Sequence, residues 1–248
     1  MEQVKLQAGE RLDQLASSQL KIIQNREVFS YSVDSLLLAR FPKLPQKGLI
    51  VDLCAGNGAV GLFASTRTTA QIIGVELQER LADMAQRSII LNGLDKQIRM
   101  IQDDLKNLPQ YLPGSRVDVM LCNPPYFKVS ESSNKNQSPY YLLARHEIAT
   151  NLGQICRTAQ QTLKSNGRLV MVHRPDRFLD ILETMKSYKL APKRLQFVYP
   201  KLGKEANMLL IEAIKDGSAD GFKVLPPLFI HEADGSYSPE IHQLYYGK

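Results

Sequence analysis

The sequence predicts an α/β fold: a mostly parallel sheet of seven strands, helices on both faces, and an antiparallel hairpin at one edge. Three observations predict it. From Leu49 to about Ile214, short runs rich in Val, Ile and Leu alternate with longer amphipathic stretches, the pattern of strand–helix–strand units. Acidic and amide residues recur where the apolar runs stop, at the carboxyl ends of the expected strands. The chain has 248 residues, 44% of them hydrophobic, enough for one substantial core and an appendage.

The extension over residues 1–48 is expected to serve as a substrate-side lid, with two short alternating segments between Arg11 and Phe29 and a helix over Val33–Phe41 that Pro42 stops. The core over 49–215 follows. Leu49–Cys54 reads as its first strand and Ala59–Arg67 as the next helix. Gln71–Glu76 is a second strand, and the helix after it carries Leu77, Leu81, Met84 and Ala85 at helical spacing before Asn92-Gly93 caps it. Ile98–Gln102 and Val117–Cys122 are the third and fourth strands. Ser130 to Pro139, rich in Ser, Asn, Gln and Lys, reads as a mobile loop. Tyr141–Leu163 is expected to be helical, Asn166-Gly167 to turn the chain, and Arg168–His173 to form a fifth strand. Phe178–Ser187 is a helix, and Arg194–Tyr199 with Asn207–Ile214 makes the edge hairpin. Residues 216–248 are a tail packed on the core, a strand and a turn marked by Pro226-Pro227 and Asp234-Gly235.

Lys and Arg number 31 against 25 acids, a formal charge of +6, which fits a polyanionic partner. Cys54, Cys122 and Cys156 have no paired spacing, so neither a disulfide framework nor a zinc site is expected. His146, His173, His231 and His242 show no metal-like spacing either. No metal is expected, and His173 alone merits testing because it closes a strand beside Arg174. The amino terminus lacks an apolar signal core, and no run approaches the roughly 18 apolar residues of a membrane span. A reducing cytoplasm and no membrane partner are therefore the expectations; the sequence leaves the oligomeric state open, with a monomer favoured.

Asp52-Leu-Cys-Ala55-Gly56-Asn57-Gly58-Ala-Val-Gly61 sits at a strand-to-helix junction and contains a literal G-x-G-x-x-G. Alone, that motif would suggest a dinucleotide. Asp52, just ahead of the glycines, would repel a pyrophosphate but can hold the cationic amino-acid portion of a small zwitterion. Glu76, at the end of the next strand, is placed to take both hydroxyls of a ribose. Asp103 and Asp104, with Leu105 beside them, end the third strand and can reach an adenine amino group. Each acid singly could be a helix N-cap. Together, Asp52, Glu76, Asp104 and Asn123 close four consecutive strands, and strand carboxyl ends are where open α/β sheets bind ligands.

Asn123-Pro124-Pro125-Tyr126 follows the fourth strand directly. An exocyclic amine on an aromatic ring attacks poorly because its lone pair is delocalised. Drawing its hydrogens toward acceptors makes the nitrogen more tetrahedral and more nucleophilic. Asn123 offers a side-chain carbonyl. Pro124 presents its own carbonyl on a stiff backbone, Pro125 stiffens the next step, and Tyr126 offers a stacking face. Such a site works by positioning and preorganised acceptors and needs no strong base. The bland reading is two prolines ending a strand and a surface tyrosine.

On these residues the chain, from Leu49 to about Ile214, resembles class I S-adenosylmethionine-dependent methyltransferases, with their Rossmann-like fold. Relatives usually have glycine where this chain has Cys54, so Cys54 is expected to keep an ordinary negative φ. The resemblance implies S-adenosylmethionine held by Asp34, Asp52, Ala55, Gly56, Asn57, Gly58, Glu76, Asp103, Asp104, Leu105 and Asn123. N-P-P-Y occurs in enzymes acting on adenine, on guanine N2 and on protein glutamine, and by itself leaves the substrate open. The glutamine enzymes place a helical domain ahead of the core, whereas the segment before Leu49 looks partly β.

Leu20-Lys-Ile-Ile-Gln-Asn-Arg-Glu-Val-Phe-Ser-Tyr-Ser-Val-Asp34-Ser-Leu-Leu-Leu-Ala39 resembles the amino-terminal signature of bacterial tRNA(Val) adenine-N6 methyltransferases. So do His173-Arg-Pro-Asp-Arg177 and Tyr199-Pro-Lys-Leu-Gly-Lys-Glu-Ala-Asn-Met208. That likeness implies tRNA as the partner and an adenine beside the anticodon as the target. It also suggests that Phe29 to Asp34 folds over the methionine end of the cofactor. Between Thr184 and Lys204 there are six basic residues, Lys201 and Lys204 among them, and no acid, interleaved with Tyr188, Phe197 and Tyr199. Such a face can track phosphates, although lysines guarding an edge strand would look the same. Arg174 and Arg177 are expected nearer the substrate, with Tyr126 stacking on a base drawn out of its own stack.

Overall fold

In the computed structural model, residues 4–16, 18–28, 31–126 and 150–246 are described. The loop expected over Ser130 to Pro139, the helix portion over 141–149, Phe29 and His146 lie outside them.

Two strands, β1 (Glu10–Gln14) and β2 (Lys21–Asn25), form a separate antiparallel hairpin. The central sheet then begins. Its strands are β3 (Leu49–Leu53), β4 (Gln71–Glu76), β5 (Ile98–Gln102), β6 (Val117–Cys122), β7 (Leu163–His173), β8 (Leu190–Lys201), β9 (Met208–Lys215), β10 (Lys223–Val224) and β11 (Leu228–His231). Their order is β10-β8-β9-β7-β6-β3-β4-β5, with β11 also pairing β8. Strands β3 to β7 run parallel, and β9 lies antiparallel between β7 and β8. The expected hairpin is therefore present, but its outer strand is not a bare edge: β10 and β11 from the tail pair with it in parallel. Covering an edge strand removes a template for unwanted pairing.

Strand period decides which side chains enter which layer. Ile50, Ile72, Val119, Leu121 and Val170 face one cluster with helices α1 (Val33–Arg40) and α2 (Ala59–Ser65). Val51, Ile73, Met120 and Met171 face the opposite cluster. That second layer is built from the short α4 (Leu108–Tyr111), α5 (Leu152–Thr162) and α6 (Phe178–Ser187). Helix α3 (Glu79–Leu91) covers the outer part of the first face through Ile89. The turn expected at Asn166-Gly167 is a bulge inside β7: Val117 opposes Leu163 and Val119 opposes Arg168, so four residues of β7 loop out against Asp118. A helix over Pro239–Tyr246, α7, ends the described chain where only a strand and turn were expected.

Helix α1 is buried from Asp34 to Ala39, as befits a helix apolar on nearly every side. That packing carries Asp34 to the carboxyl edge of the sheet. The β1–β2 hairpin is strapped to α3. Ile23 and Val28 pack on Leu81 and Met84, the Ile23 N–H donates to Ser88 Oγ at 3.0 Å, and Arg87 pairs with Glu10 at 2.6 Å and Asp83 at 2.7 Å.

The loop after β3 overturns one expectation: Cys54 has φ +58°, in the left-handed region, where glycine is the easy choice. The loop must turn sharply off the strand here, and Gly56 and Gly58 continue at φ +56° and +85°. Gly58 is doubly constrained, since an added Cβ would lie 3.0 Å from Ala85 Cβ of α3.

Three outcomes follow from this packing. Cys54→Gly should leave the urea midpoint nearly unchanged, because relief of left-handed strain offsets the added chain entropy. Cys54→Val should cost about 2 kcal/mol or more, since a β-branched residue at positive φ is a genuine outlier, and equal midpoints for the two variants would refute the strain. Arg87→Ala should cost about 2 kcal/mol, between an exposed and a fully buried pair, because the Glu10 side chain it leaves behind is only 1% exposed. A loss below about 0.5 kcal/mol would mark that pair as solvent-screened.

Candidate active site

At the carboxyl ends of β3, β4, β5 and β6 lies a cavity of about 410 Å³, within the range of roughly 300–1,000 Å³ usual for small-molecule sites. Asp34, Ala55, Gly56, Asn57, Glu76, Asp103, Asp104, Leu105 and the whole of Asn123 to Tyr126 line it. These residues come from four strand ends and from α1. Parallel strands deliver their end residues to one edge, which is why positions so far apart in sequence converge.

Glu76 is buried, and its two oxygens accept backbone N–H groups: Oε2 from Gly56 at 2.8 Å and Oε1 from Gln78 at 2.9 Å. Burial raises its pKa, against the lowering effect of those hydrogen bonds. Each carboxylate oxygen keeps a further lone pair, the right equipment for a vicinal diol. Gly56 has open space where a Cβ would stand, so a ligand can approach its backbone closely. Asp103 accepts from Tyr111 Oη at 2.7 Å, Asn107 Nδ2 at 2.9 Å and the Asp104 N–H at 2.7 Å, and these donors lower its pKa, Tyr111 foremost. Acceptors, an open glycine backbone and an apolar wall of Leu81, Val60 and Leu105 fit an adenosyl group carrying a short amino-acid tail.

Two of the expected cofactor contacts, Asp52 and Gly58, are placed away from the cavity, and two more, Asn57 and Asp104, line it while also bonding within the fold. Asp52 does not line the cavity. It shares the sheet face of Ile50, so its side chain turns under α2, where Oδ2 accepts the Gly61 N–H at 3.2 Å and Oδ1 has no hydrogen-bond partner. Burial pushes its carboxyl up to about 8. Gly58 serves as the N-cap residue of α2 rather than as a wall of the cavity. The Asn57 amide donates to the Ile23 carbonyl at 3.2 Å, tying the glycine loop to β2. Asp104 lines the cavity but also caps the 3-10 turn Leu105–Asn107 by accepting from the Lys106 N–H at 3.0 Å, so the N-cap reading of that acid holds.

At the other end of the cavity, the Tyr126 hydroxyl lies 2.6 Å from Asp34 Oδ2 and 2.6 Å from Asn123 Oδ1. Ser32 Oγ donates to the second oxygen of Asp34. Burial raises the pKa of Asp34 and of Tyr126. Behind Tyr126 stands His173, fully buried, its ring centroid 5.3 Å from the tyrosine ring at 52°. His173 Nδ1 accepts the Arg174 N–H at 2.8 Å. Burial foremost, with the nearby Arg177, pulls its pKa down to about 4, so the ring is neutral at physiological pH and acts as packing.

The basic residues do not reach the cavity. Arg177 is 9% exposed and its Nε bonds Asp180 Oδ2 at 3.0 Å, which makes it a tie at the start of α6 rather than an open phosphate contact. Arg174 reaches Asp176 at 3.4 Å. Lys201 and Lys204 flank the β8–β9 turn. Because Leu209 pairs with both His173 and Phe197, that turn stands at the same edge of the sheet as the cavity. Ser32 and Tyr111 are contributors that sequence reasoning did not place at the site, and His173, singled out only as a residue to test, packs behind Tyr126. Ser32 lies inside the Phe29 to Asp34 segment already singled out, whereas nothing in the residues around Tyr111 signals its reach to Asp103. Among the described residues, no group of three or more His, Cys, Asp or Glu is placed to hold a metal ion, and no helix is long and apolar enough to cross a membrane.

A family model, the methyltransferase small domain, matches residues 19–191. Curated relatives include a tRNA1(Val) (adenine(37)-N6)-methyltransferase of Porphyromonas gingivalis, 28% identical over 94% of this chain and 93% of the relative. Another of that name, from Shewanella loihica, is 28% identical over 84% of this chain and 86% of the relative. Among solved structures, a predicted O-methyltransferase of Agrobacterium tumefaciens superposes with a TM-score of 0.68 at 24% identity, covering 86% of this chain and 96% of that one. The geranyl diphosphate C-methyltransferase of Streptomyces coelicolor, solved with S-adenosyl-L-homocysteine, reaches 0.54 at 16% identity, covering 71% and 79%. At such identities the structures speak for the fold alone. The family match spans most of the chain, from β2 through the glycine loop, Glu76 and Asn123 to the start of β8, and the chain therefore belongs to the methyltransferase small-domain family.

Proposed function

We propose that this protein transfers a methyl group from S-adenosylmethionine to the exocyclic N6 amine of an adenine in tRNA, beside the anticodon of a valine tRNA. The observation that carries the reading is a single cavity lined both by Gly56, Glu76 and Asp103 and by Asn123 to Tyr126. A donor-binding edge and an amine-holding edge thus face each other. Relatives named for this reaction at adenine 37 of tRNA1(Val) align over most of the chain and supply the substrate class.

When bound, S-adenosylmethionine supplies an electrophilic methyl carbon on a sulfonium. The chain does the rest by placement. Glu76 and the Gly56 backbone hold the ribose side, and Asp103 the adenine side of the donor. Asn123 Oδ1 accepts one hydrogen of the target amine and the Pro124 carbonyl the other, which raises the nucleophilicity of the nitrogen. As the new N–C bond forms and the C–S bond breaks, the nitrogen becomes acidic and its extra proton passes to water. Tyr126 presents a ring against the extruded base, and His173 backs that ring.

The β8–β9 turn serves as an RNA contact outside the cavity. Lys201 and Lys204 flank Leu202, which is 81% exposed, and that combination of cations around an apolar tip suits a single-stranded loop.

Asn123→Ala should leave S-adenosylmethionine binding by calorimetry within about twofold and cut turnover on a valine tRNA transcript by about 100-fold or more. Nucleoside mass spectrometry of the product should show N6-methyladenine, and methylation elsewhere or unchanged turnover would refute the assignment. Lys201→Glu with Lys204→Glu should weaken transcript binding and lower the slope of log affinity against log salt by about two. An unchanged slope would remove this turn from the RNA interface.

A further inference from the structure

The Tyr126 hydroxyl stands within hydrogen-bond distance of two acceptors, Asp34 Oδ2 and Asn123 Oδ1, both at 2.6 Å. A phenol has one proton to donate. If it goes to Asn123, it takes one of the two lone pairs of the carbonyl oxygen on which the target amine depends and draws electron density from the other. If it goes to Asp34, that oxygen is left open. When ionised, Asp34 is the stronger acceptor, because its bond is charge-assisted.

The surroundings hold this choice in place. Asp34 is 6% exposed, on a helix buried on nearly every side. Ser32 donates to its other oxygen, so both oxygens already have donors from the protein. The fully buried His173 ring stands against the Tyr126 ring and limits where the hydroxyl can go.

We propose that Asp34 is a positioning residue for methyl transfer: it takes the Tyr126 hydroxyl proton and so keeps the Asn123 carbonyl free to accept from the target amine. The proposal rests on the amine-methylation reading of this site. It assigns the amino-terminal helix a part in orienting the acceptor that does not require contact with the methyl donor. Tyr126 then has two separate tasks, its ring for the base and its hydroxyl for the link between α1 and Asn123.

Two measurements on the full chain test it. In Asp34→Asn the side chain keeps its shape but becomes a weaker, uncharged acceptor, and the tyrosine proton turns to Asn123. Turnover on tRNA transcript should fall about tenfold, with KM for both substrates within about twofold. Tyr126→Phe removes the competing hydroxyl, so adding Asp34→Asn to it should cost nothing further. Losses that multiply in the double variant would overturn the proposal, as would a rise in the KM for S-adenosylmethionine alone.

The second measurement needs no RNA. With tyrosine labelled at 13Cζ, the Tyr126 resonance, identified by its loss in Tyr126→Phe, should shift in Asp34→Asn. A resonance indifferent to Asp34→Asn overturns the proposal whatever the substrate. A shifted resonance in a protein that methylates no adenine supports the hydroxyl link and counts against the substrate assignment alone.

Discussion

Three carboxylates, Asp34, Asp52 and Glu76, are buried at one edge of the sheet, and the site depends on how each is compensated. Taking a carboxylate out of water is costly unless donors surround it, and burial raises the pKa of all three. The compensation differs in each case. Glu76 is held by backbone N–H groups from the glycine loop and from the chain after β4. Asp34 is held by two hydroxyls, and Asp52 by one N–H with an oxygen left over. The gradation matches their roles: Glu76 and Asp34 face the cavity, while Asp52 anchors the amino end of α2 beneath it.

That edge is stiff because the layers behind it are. The sheet is buried on both faces, and α1 is enclosed almost completely, so neither can shift without opening the core. The β1–β2 hairpin reaches the glycine loop through Asn57 and α3 through Arg87 and Ser88. Segments ahead of the sheet in sequence thus brace the loop that follows its first strand.

Much of this was legible from the residues. The alternation of apolar runs identified the seven main strands, and the boundaries of β4, β5, β6 and α6 coincide with those read from the sequence. Glu76, Asp103 and Asn123 were readable because an acid or amide directly after an apolar run must emerge at a strand end. Asp52 was misread for the same reason inverted. It lies within its strand, where period two, and not proximity to the glycines, sets its direction. Cys54 was misread because a left-handed turn was expected to demand glycine. Arg177 looked like an open cation, but a nearby aspartate three residues on, Asp180, had already claimed it.

The sequence by itself determined the order of the core strands and helices, the sheet edge at which the candidate site lies and the acceptor and ring groups that Asn123 to Tyr126 offer there, since these follow from local periodicity and side-chain type. Only the tertiary structure decided which acids face the cavity and which sit beneath it. It also brought Asp34 to Tyr126 across 92 positions and set His173 behind that ring. The physical reason is that such pairings depend on how whole helices and strands pack, with a rotation or register set by the burial of many apolar side chains at once, and no short stretch of sequence records that sum.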